Sequence, residues 1–234
     1  MARVPEEIAP GVYRIDTIAI PNGISVLLVA DTDGWMLIDA GVRSGALRIQ
    51  EALSTLGAGP QDLRRIYLTH HHNDHISGLP AVRWWATEAE VVASEHEAQI
   101  ISGERPFDPP SNALIRSFVR RGRLPTVPVD RVVHEGDSIA GFRVIDTPGH
   151  THGHTSLINE QNGLLFTGDA FGGLPYKVRV GVRKLICTDP AEAQCSAEKL
   201  LREEFSTVVF SHGRPVREDA KQHLSEIVTR EQNE

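Results

Sequence analysis

Thr69-His70-His71-His72-Asn73-Asp74-His75 gathers His70, His72, Asp74 and His75, all of metal-ligating type, into one short run with two kinds of spacing. His70 and His72 are two apart, so in an extended segment they point to the same side. Asp74 and His75 are adjacent and diverge unless the chain turns between them. Such an arrangement suits two metal ions side by side rather than one. Upstream, Arg65-Ile66-Tyr67-Leu68-Thr69 reads as a short buried strand, and downstream Ile76-Ser77-Gly78-Leu79-Pro80 leads into a helical pattern. The run therefore lies on a strand-to-helix loop, where layered α/β folds commonly build their sites. A solvated His-rich tract is the bland alternative. It is set aside because further candidate ligands follow in matching settings.

Working outward, the chain has 234 residues, enough for one large domain or two small ones, and it is 40% hydrophobic, 24% charged and −7 in net charge. That acidity argues against broad binding of nucleic acid or an anionic membrane. No apolar run reaches membrane-spanning length, and Met1 to Pro10 lacks the apolar core of a signal peptide. Cys187 and Cys195 do not make a disulfide framework and read as packing residues. A cytoplasmic location is expected. Of 11 histidines, four fall within 70–75 and three within 150–154. His96, His134 and His223 read as surface residues.

Strands are expected over Val12–Ile20, Ile24–Ala30 and Trp35–Asp39, the last two joined by a turn at Asp31–Gly34. Ile24–Ala30 is nearly all apolar, as in a strand covered on both faces. A helix over about 44–56 follows, with Leu47, Ile49, Leu53 and Leu56 partly on one face, and Gly57 and Gly59-Pro60 end it. Asp39 either caps its turn or holds the metal-binding loop by hydrogen bonds. Beyond the His-rich run come a helix over 77–87 with Trp84 and Trp85, a strand over Glu90–Ser94 and a helix over Glu95–Ile101. Pro106, Pro109, Pro110, Pro125 and Pro128 bracket a helix near 111–121, so 103–130 reads as a surface insertion able to serve as a lid. Arg116, Arg120, Arg121 and Arg123 cluster there, either as a solvated basic face or as an anion-binding lid.

Further strands are expected at Val132–Val133, Ser138–Ala140, Phe142–Asp146, Thr155–Asn159, Leu164–Thr167 and Thr207–Phe210, with Asn162-Gly163 marking a hairpin turn. Helices are expected over Pro190–Phe205, with Asp189-Pro190 as its start, and over about 215–230. Two runs of strands, each with helices, imply an α/β fold of two packed sheets covered by helices. Three more candidate ligands sit just after apolar strands: His150, Asp169 and His212.

The motifs Leu37-Ile38-Asp39-Ala40-Gly41, Thr69-His70-x-His72-x-Asp74-His75, Thr147-Pro148-Gly149-His150-Thr151, Thr167-Gly168-Asp169 and Ser211-His212-Gly213 occur in this order and span most of the chain. In them the sequence resembles the metallo-β-lactamase superfamily of metal-dependent hydrolases. The resemblance implies an αβ/βα four-layer sandwich, two mixed sheets with outer helices, as one domain over residues 1–234. Carried over by motif, His70, His72 and His150 would hold one metal ion, Asp74, His75 and His212 a second, and Asp169 would bridge them. The donors suit two divalent ions, zinc first, with iron or manganese also compatible. Two such cations would lower the pKa of a shared water toward neutrality and give hydroxide as the nucleophile. Asp74 would orient it and carry its proton to the leaving group. His71 is expected to point away, as a structural or supporting residue, and His154 matches a position often histidine in that family.

The bridging Asp169 points toward the glyoxalase II, lactonase and nuclease branches rather than to true β-lactamases. Lactonases of this type often place a tyrosine three residues after the bridging aspartate; here Gly172 stands there and Tyr176 is nearest. The expected activity is hydrolysis of an ester, lactone or thioester of a small molecule, with a phosphodiester as the alternative. A redox di-iron protein is the outlying option, against which His72 argues, because redox relatives usually carry glutamate there. The expected partner is a small-molecule substrate, with no nucleic acid and no membrane; the oligomeric state is left open, a homodimer among the options.

Overall fold

The computed structural model describes residues 4–119, 124–173 and 177–232. The chain divides into two compact units, one of residues 1–106 with 124–133, the other of residues 107–123 with 134–234. Of the 103–130 stretch, residues 103–106 and 124–130 fall in the first unit and 107–123 in the second.

The first unit is a seven-stranded sheet of β1 (Glu6–Ala9), β2 (Val12–Asp16), β3 (Ser25–Asp31), β4 (Gly34–Ile38), β5 (Leu63–Leu68), β6 (Glu90–Ser94) and β7 (Arg131–Val133), paired in sequence order. Pairings are antiparallel through β4 and parallel from β4 to β7. The switch follows connection length. Thr32 and Asp33 close the β3–β4 hairpin, whereas the later strands are joined through helices. Those helices are α1 (Ala46–Thr55), α2 (Asn73–Ile76), α3 (Leu79–Trp85) and α4 (Glu95–Ile101). One sheet face, with Val26, Leu28, Leu37, Ile66 and Val91, packs against Ile49, Leu53, Leu79, Val82 and Ile101. Each such buried side chain contributes roughly 1.5–3 kcal/mol over its exposed state. The alternate residues Leu27, Val29, Met36 and Ile38 are buried too, as the unbroken apolar run of β3 requires.

Two expectations change here. The strand expected over Val12–Ile20 stops at Asp16. The Asp16 carboxylate accepts from Asn22 N–H (3.0 Å), Ser25 Oγ (3.2 Å) and Arg14 (2.7 Å), turning the chain back before Ile20. Leu47 is 61% exposed rather than part of the α1 stripe, because Ala46, Ile49, Ala52 and Leu53 already fill that face.

The second unit holds a five-stranded sheet in the order β14-β11-β10-β9-β8, from β8 (Ser138–Ile139), β9 (Phe142–Asp146), β10 (Thr155–Asn159), β11 (Leu164–Phe166) and β14 (Thr207–Val209). A smaller ribbon pairs β12 (Phe171–Gly172) with β13 (Arg179–Val180). Its helices are α5 (Ala113–Val119), α6 (Pro190–Leu200) and α7 (Ala220–Gln232). Ile145, Ile158, Leu165 and Val208 of the sheet pack with Ala193, Ala197 and Leu200 of α6 and Leu224 and Ile227 of α7. Asp189 caps α6 by accepting from Ala191 and Glu192 N–H, with Pro190 in the first turn, as the sequence implied. α7 begins later than expected, because Val216 exchanges backbone hydrogen bonds with Val208 and stays extended beside β14. No helix among the described residues is long and apolar enough to cross a membrane.

Candidate metal centre

In the first unit the ligand loop leaves β5 at Leu68, and α2 supplies the turn between Asp74 and His75. The His70 and His72 ring centroids lie 4.8 Å apart, and those of His70 and His75 4.0 Å apart. Asp74 Oδ2 lies 3.9 Å from His75 Nε2. All four residues of the run thus converge despite their unlike spacing.

Asp39 is the anchor. It ends β4 at φ 61°, a left-handed conformation that aspartate tolerates better than most residues. Its Oδ2 accepts from His75 Nδ1 at 2.8 Å, and its Oδ1 accepts from Thr69 N–H at 2.9 Å. The Thr69 hydroxyl lies 2.9 and 3.0 Å from the two carboxylate oxygens, so its proton goes to Asp39. It then accepts from His70 Nδ1 at 3.1 Å. A carboxylate only accepts, so both histidines carry their proton on Nδ1 and present a lone pair at Nε2. That is the tautomer a metal ligand needs, fixed by a carboxylate behind the ring. Of the two readings of Asp39, the structure favours the loop-holding one.

The loop is also pinned through its backbone. Ala40 N–H donates to His75 O (2.7 Å) and Gly78 N–H to Gly41 O (2.9 Å). A Cβ on Gly78 would run into the Ala40 carbonyl, so this close approach requires glycine. His71 faces away and is buried, 2.6 Å from the equally buried Glu97 carboxylate of α4. Glu97 carried no signal in the sequence beyond its place on a helix.

In the second unit Asp169 lies between two histidines. Its Oδ2 is 3.3 Å from His150 Nε2 and its Oδ1 is 3.4 Å from His212 Nε2. His150 Nδ1 donates to Gly181 O at 3.2 Å, so its Nε2 also faces the carboxylate with a lone pair. Two acceptors this close are reconciled by a shared cation, and the imidazole and carboxylate donors fit a divalent ion. Asp169, His150 and His212 are 2%, 1% and 5% exposed.

His154 supports Asp169 rather than joining the ligands. Asp169 N–H donates to His154 Nε2 (2.9 Å), which places the His154 proton on Nδ1. From there it donates to Thr147 Oγ1 (2.8 Å), Thr147 to Ser156 Oγ (3.0 Å) and Ser156 to the Thr167 carbonyl (3.1 Å). His154 thus has the supporting place that its match to the family position implied, whereas its partners Thr147 and Ser156, and Gly181 behind His150, were not foreseen from the sequence. Asp189 N–H and Thr188 N–H donate to Gly149 O and His150 O, tying the start of α6 to the His150 turn.

The family is decided by the comparison with known proteins. The model of the metallo-beta-lactamase superfamily matches residues 19–212. This chain belongs to that superfamily. With hydrolases among its relatives, it is a metal-dependent hydrolase of that superfamily. The chain is 29% identical over 206 residues to the uncharacterized protein YobT of Bacillus subtilis, covering 83% of this chain and 84% of that one. It is 31% identical over 197 residues to a hydroxyacylglutathione hydrolase of Fuscovulum blasticum, covering 77% of this chain and 67% of that one. Among solved structures, a subclass B3 metallo-beta-lactamase from a soil metagenome library superposes with TM-score 0.71 at 21% identity, over 99% of this chain and 95% of that one. A metallo-beta-lactamase family protein from Thermus thermophilus gives 0.70 at 24% identity, over 97% and 81%. These two likenesses establish the metallo-β-lactamase fold.

The remaining expectations are placed as follows. His134 and His223 are exposed and His96 is half-buried. Cys187 is buried, but Cys195 is exposed rather than a packing residue, because it lies on the outer side of α6. The Arg116 guanidinium donates to the carbonyls of Pro110 (3.1 Å) and Ser111 (3.3 Å), staying on its own loop. Arg120, Arg121, Arg123 and Tyr176 lie outside the described residues.

Proposed function

We propose that this superfamily member is a dinuclear hydrolase of a carboxylic ester, lactone or thioester of a small molecule. The observation that carries the reading is the Asp169 carboxylate, with one oxygen toward His150 and the other toward His212. The motif order assigns His70, His72 and His150 to one ion, Asp74, His75 and His212 to the other, and Asp169 to both. Divalent ions held there, zinc first and iron or manganese with the same donors, would supply Lewis acidity and a water of lowered pKa. The chain's own part is positioning and proton transfer. Asp39, Thr69 and Gly181 hold three rings with Nε2 presented. Asp74, whose side chain is 38% exposed, is accessible to take a proton at Oδ2 and return it to the leaving group.

The hydroxyacylglutathione hydrolase relative supports a thioester, although this chain spans only 67% of that relative's length. A phosphodiester is the second reading, supported by the cationic run Lys177, Arg179, Arg183 and Lys184. The two free cysteines accord with a cytoplasmic setting.

The test is acid release at constant pH by metal-loaded protein, with a chelated control. The substrates are an acyl-homoserine lactone, an aryl ester, a glutathione thioester and a phosphodiester. Chelator-sensitive turnover of one of the first three is expected, with about two metal ions per chain. His72→Ala and Asp169→Asn should each lower it at least about 100-fold, as loss of a metal-site residue does. Undiminished turnover in metal-bound protein carrying either change would sink the role assignment, and turnover of the phosphodiester alone would favour the second reading.

A further inference from the structure

The second unit contains a cavity of about 450 Å³ beside the β12–β13 ribbon. Its lining carries four cationic side chains, Lys177, Arg179, Arg183 and Lys184, and no acidic one, in a chain whose net charge is −7. Val182 and Leu185 supply its apolar surface. The buried Glu231 of α7 answers two of these cations. Its carboxylate lies 3.1 Å from Arg179 and 3.7 Å from Lys184, and its carbonyl accepts from Lys184 at 2.9 Å. With Arg230 also 3.8 Å away, one carboxylate is thus shared by three cations, two of them from the cavity. Among the described residues, Lys177 and Arg183 have no carboxylate partner. Concave walls of one sign concentrate the field, so the cavity attracts anions.

The cavity is built onto the same backbone as the candidate ligands. Gly173 N–H donates to His212 O (2.8 Å), and Gly181 N–H donates to the carbonyl of Ala170, next to Asp169 (2.8 Å). The Gly181 carbonyl is the one that orients His150. Directly after it, Val182 stands at φ 62°, a conformation β-branched residues avoid, and Arg183 N–H closes back on Gly181 O at 2.6 Å. Such strain is kept where surrounding structure enforces it. Here it turns Arg183 and Lys184 onto a cavity whose Gly173 is hydrogen-bonded to the His212 backbone and whose Val182 directly follows the Gly181 that orients His150.

We propose that this cavity binds an anionic oxygen-acid group, carboxylate or phosphate, on the part of the substrate remote from the bond cleaved. Arg183 is the principal contact, since its planar fork matches either anion, and Lys177 adds a point charge. The inference deepens the hydrolase reading and rests on it for the word substrate; anion binding itself does not.

The experiment is calorimetric titration of the full chain, metal-loaded and metal-depleted, with glutarate and with inorganic phosphate as probes. Saturable binding to one site, weaker at higher salt, is expected in both metal states. Arg183→Gln should weaken it about 10-fold or more and Lys177→Gln about 3-fold, the scale of charge-assisted hydrogen bonds. Lys221→Gln removes the same charge from a lysine paired with Glu204 on the outside of α7 and should leave the affinity unchanged. Binding of glutarate alone, or of phosphate alone, names the anion. Absence of binding to both probes overturns the proposal, as does an affinity that Arg183→Gln leaves intact or that Lys221→Gln lowers equally. A parallel assay compares a glutarate monoaryl ester with an aryl acetate. If these esters and the lactone and thioester of the panel all go unhydrolysed while Arg183-dependent binding persists, the proposed substrate class fails and the anion site stands.

Discussion

In the first unit the four candidate ligands arrive on one loop, and two of them, His70 and His75, answer to one carboxylate, Asp39; in the second, three arrive on separate strand ends, with His150 oriented by a carbonyl and Asp169 backed by a neutral His154–Thr147–Ser156 chain. The first arrangement concentrates risk. Asp39 orients His75 directly and His70 through Thr69, so a single change disturbs both. The second distributes it, with Gly181 behind His150 and the His154–Thr147–Ser156 chain behind Asp169. A buried carboxylate accepting several hydrogen bonds is stronger than neutral partners, and costlier to lose.

The largest effects test whether both regions depend on close backbone approach. A Cβ on Gly78 would fall on the Ala40 carbonyl, and one on Gly149 would fall on Ala193 N of α6, at φ 121°. Gly78→Ala and Gly149→Ala should each cost at least about 3 kcal/mol in denaturant unfolding, the second more because the backbone is strained as well. Next comes the anchor itself. Asp39→Ala should lose about 2–4 kcal/mol and weaken metal binding about 10–100-fold in chelator competition. Thr147→Val, which breaks the neutral relay at near-constant volume, should lose only about 1–2 kcal/mol, with a smaller loss of metal affinity. Equal losses for these two would erase the distinction between a charged and a neutral support.

The smallest effect is chemical. Burial foremost, with Asp169 and Asp189 nearby, pushes the Cys187 thiol up to about 12, whereas Cys195 is exposed. Thiolate is the reactive form, so a maleimide should label Cys195 rapidly at pH 8 and leave Cys187 unlabelled until unfolding. Raising the pH to 9 should not change that for Cys187, because its thiolate remains scarce below its own pKa. Rapid labelling of both residues in the folded protein would show that the second region opens.

Much of this architecture was legible in local pattern. The strand Glu90–Ser94 and the helix Glu95–Ile101 occur with the bounds their sequence implies. The Asp189-Pro190 helix start and the Asn162-Gly163 hairpin also hold, because capping and turn chemistry act within a few residues. The errors came where distant partners decide. β2 ends early because Asp16 bonds Asn22 and Ser25, and α7 starts late because Val216 pairs with Val208.

By itself the sequence determined which residues have ligating chemistry, the strand ends they follow and the family those motifs belong to, since these depend on residue type and short spacing. Only the tertiary structure decided which nitrogen of His70, His75 and His150 carries the proton and that His154 serves Asp169, because a tautomer is set by its hydrogen-bond partner, and most of these partners lie far along the chain. It also decided that the charges of 177–184 line one cavity, with Glu231 answering for only part of them. Local sequence carries the charges; the fold sets which of them remain unopposed.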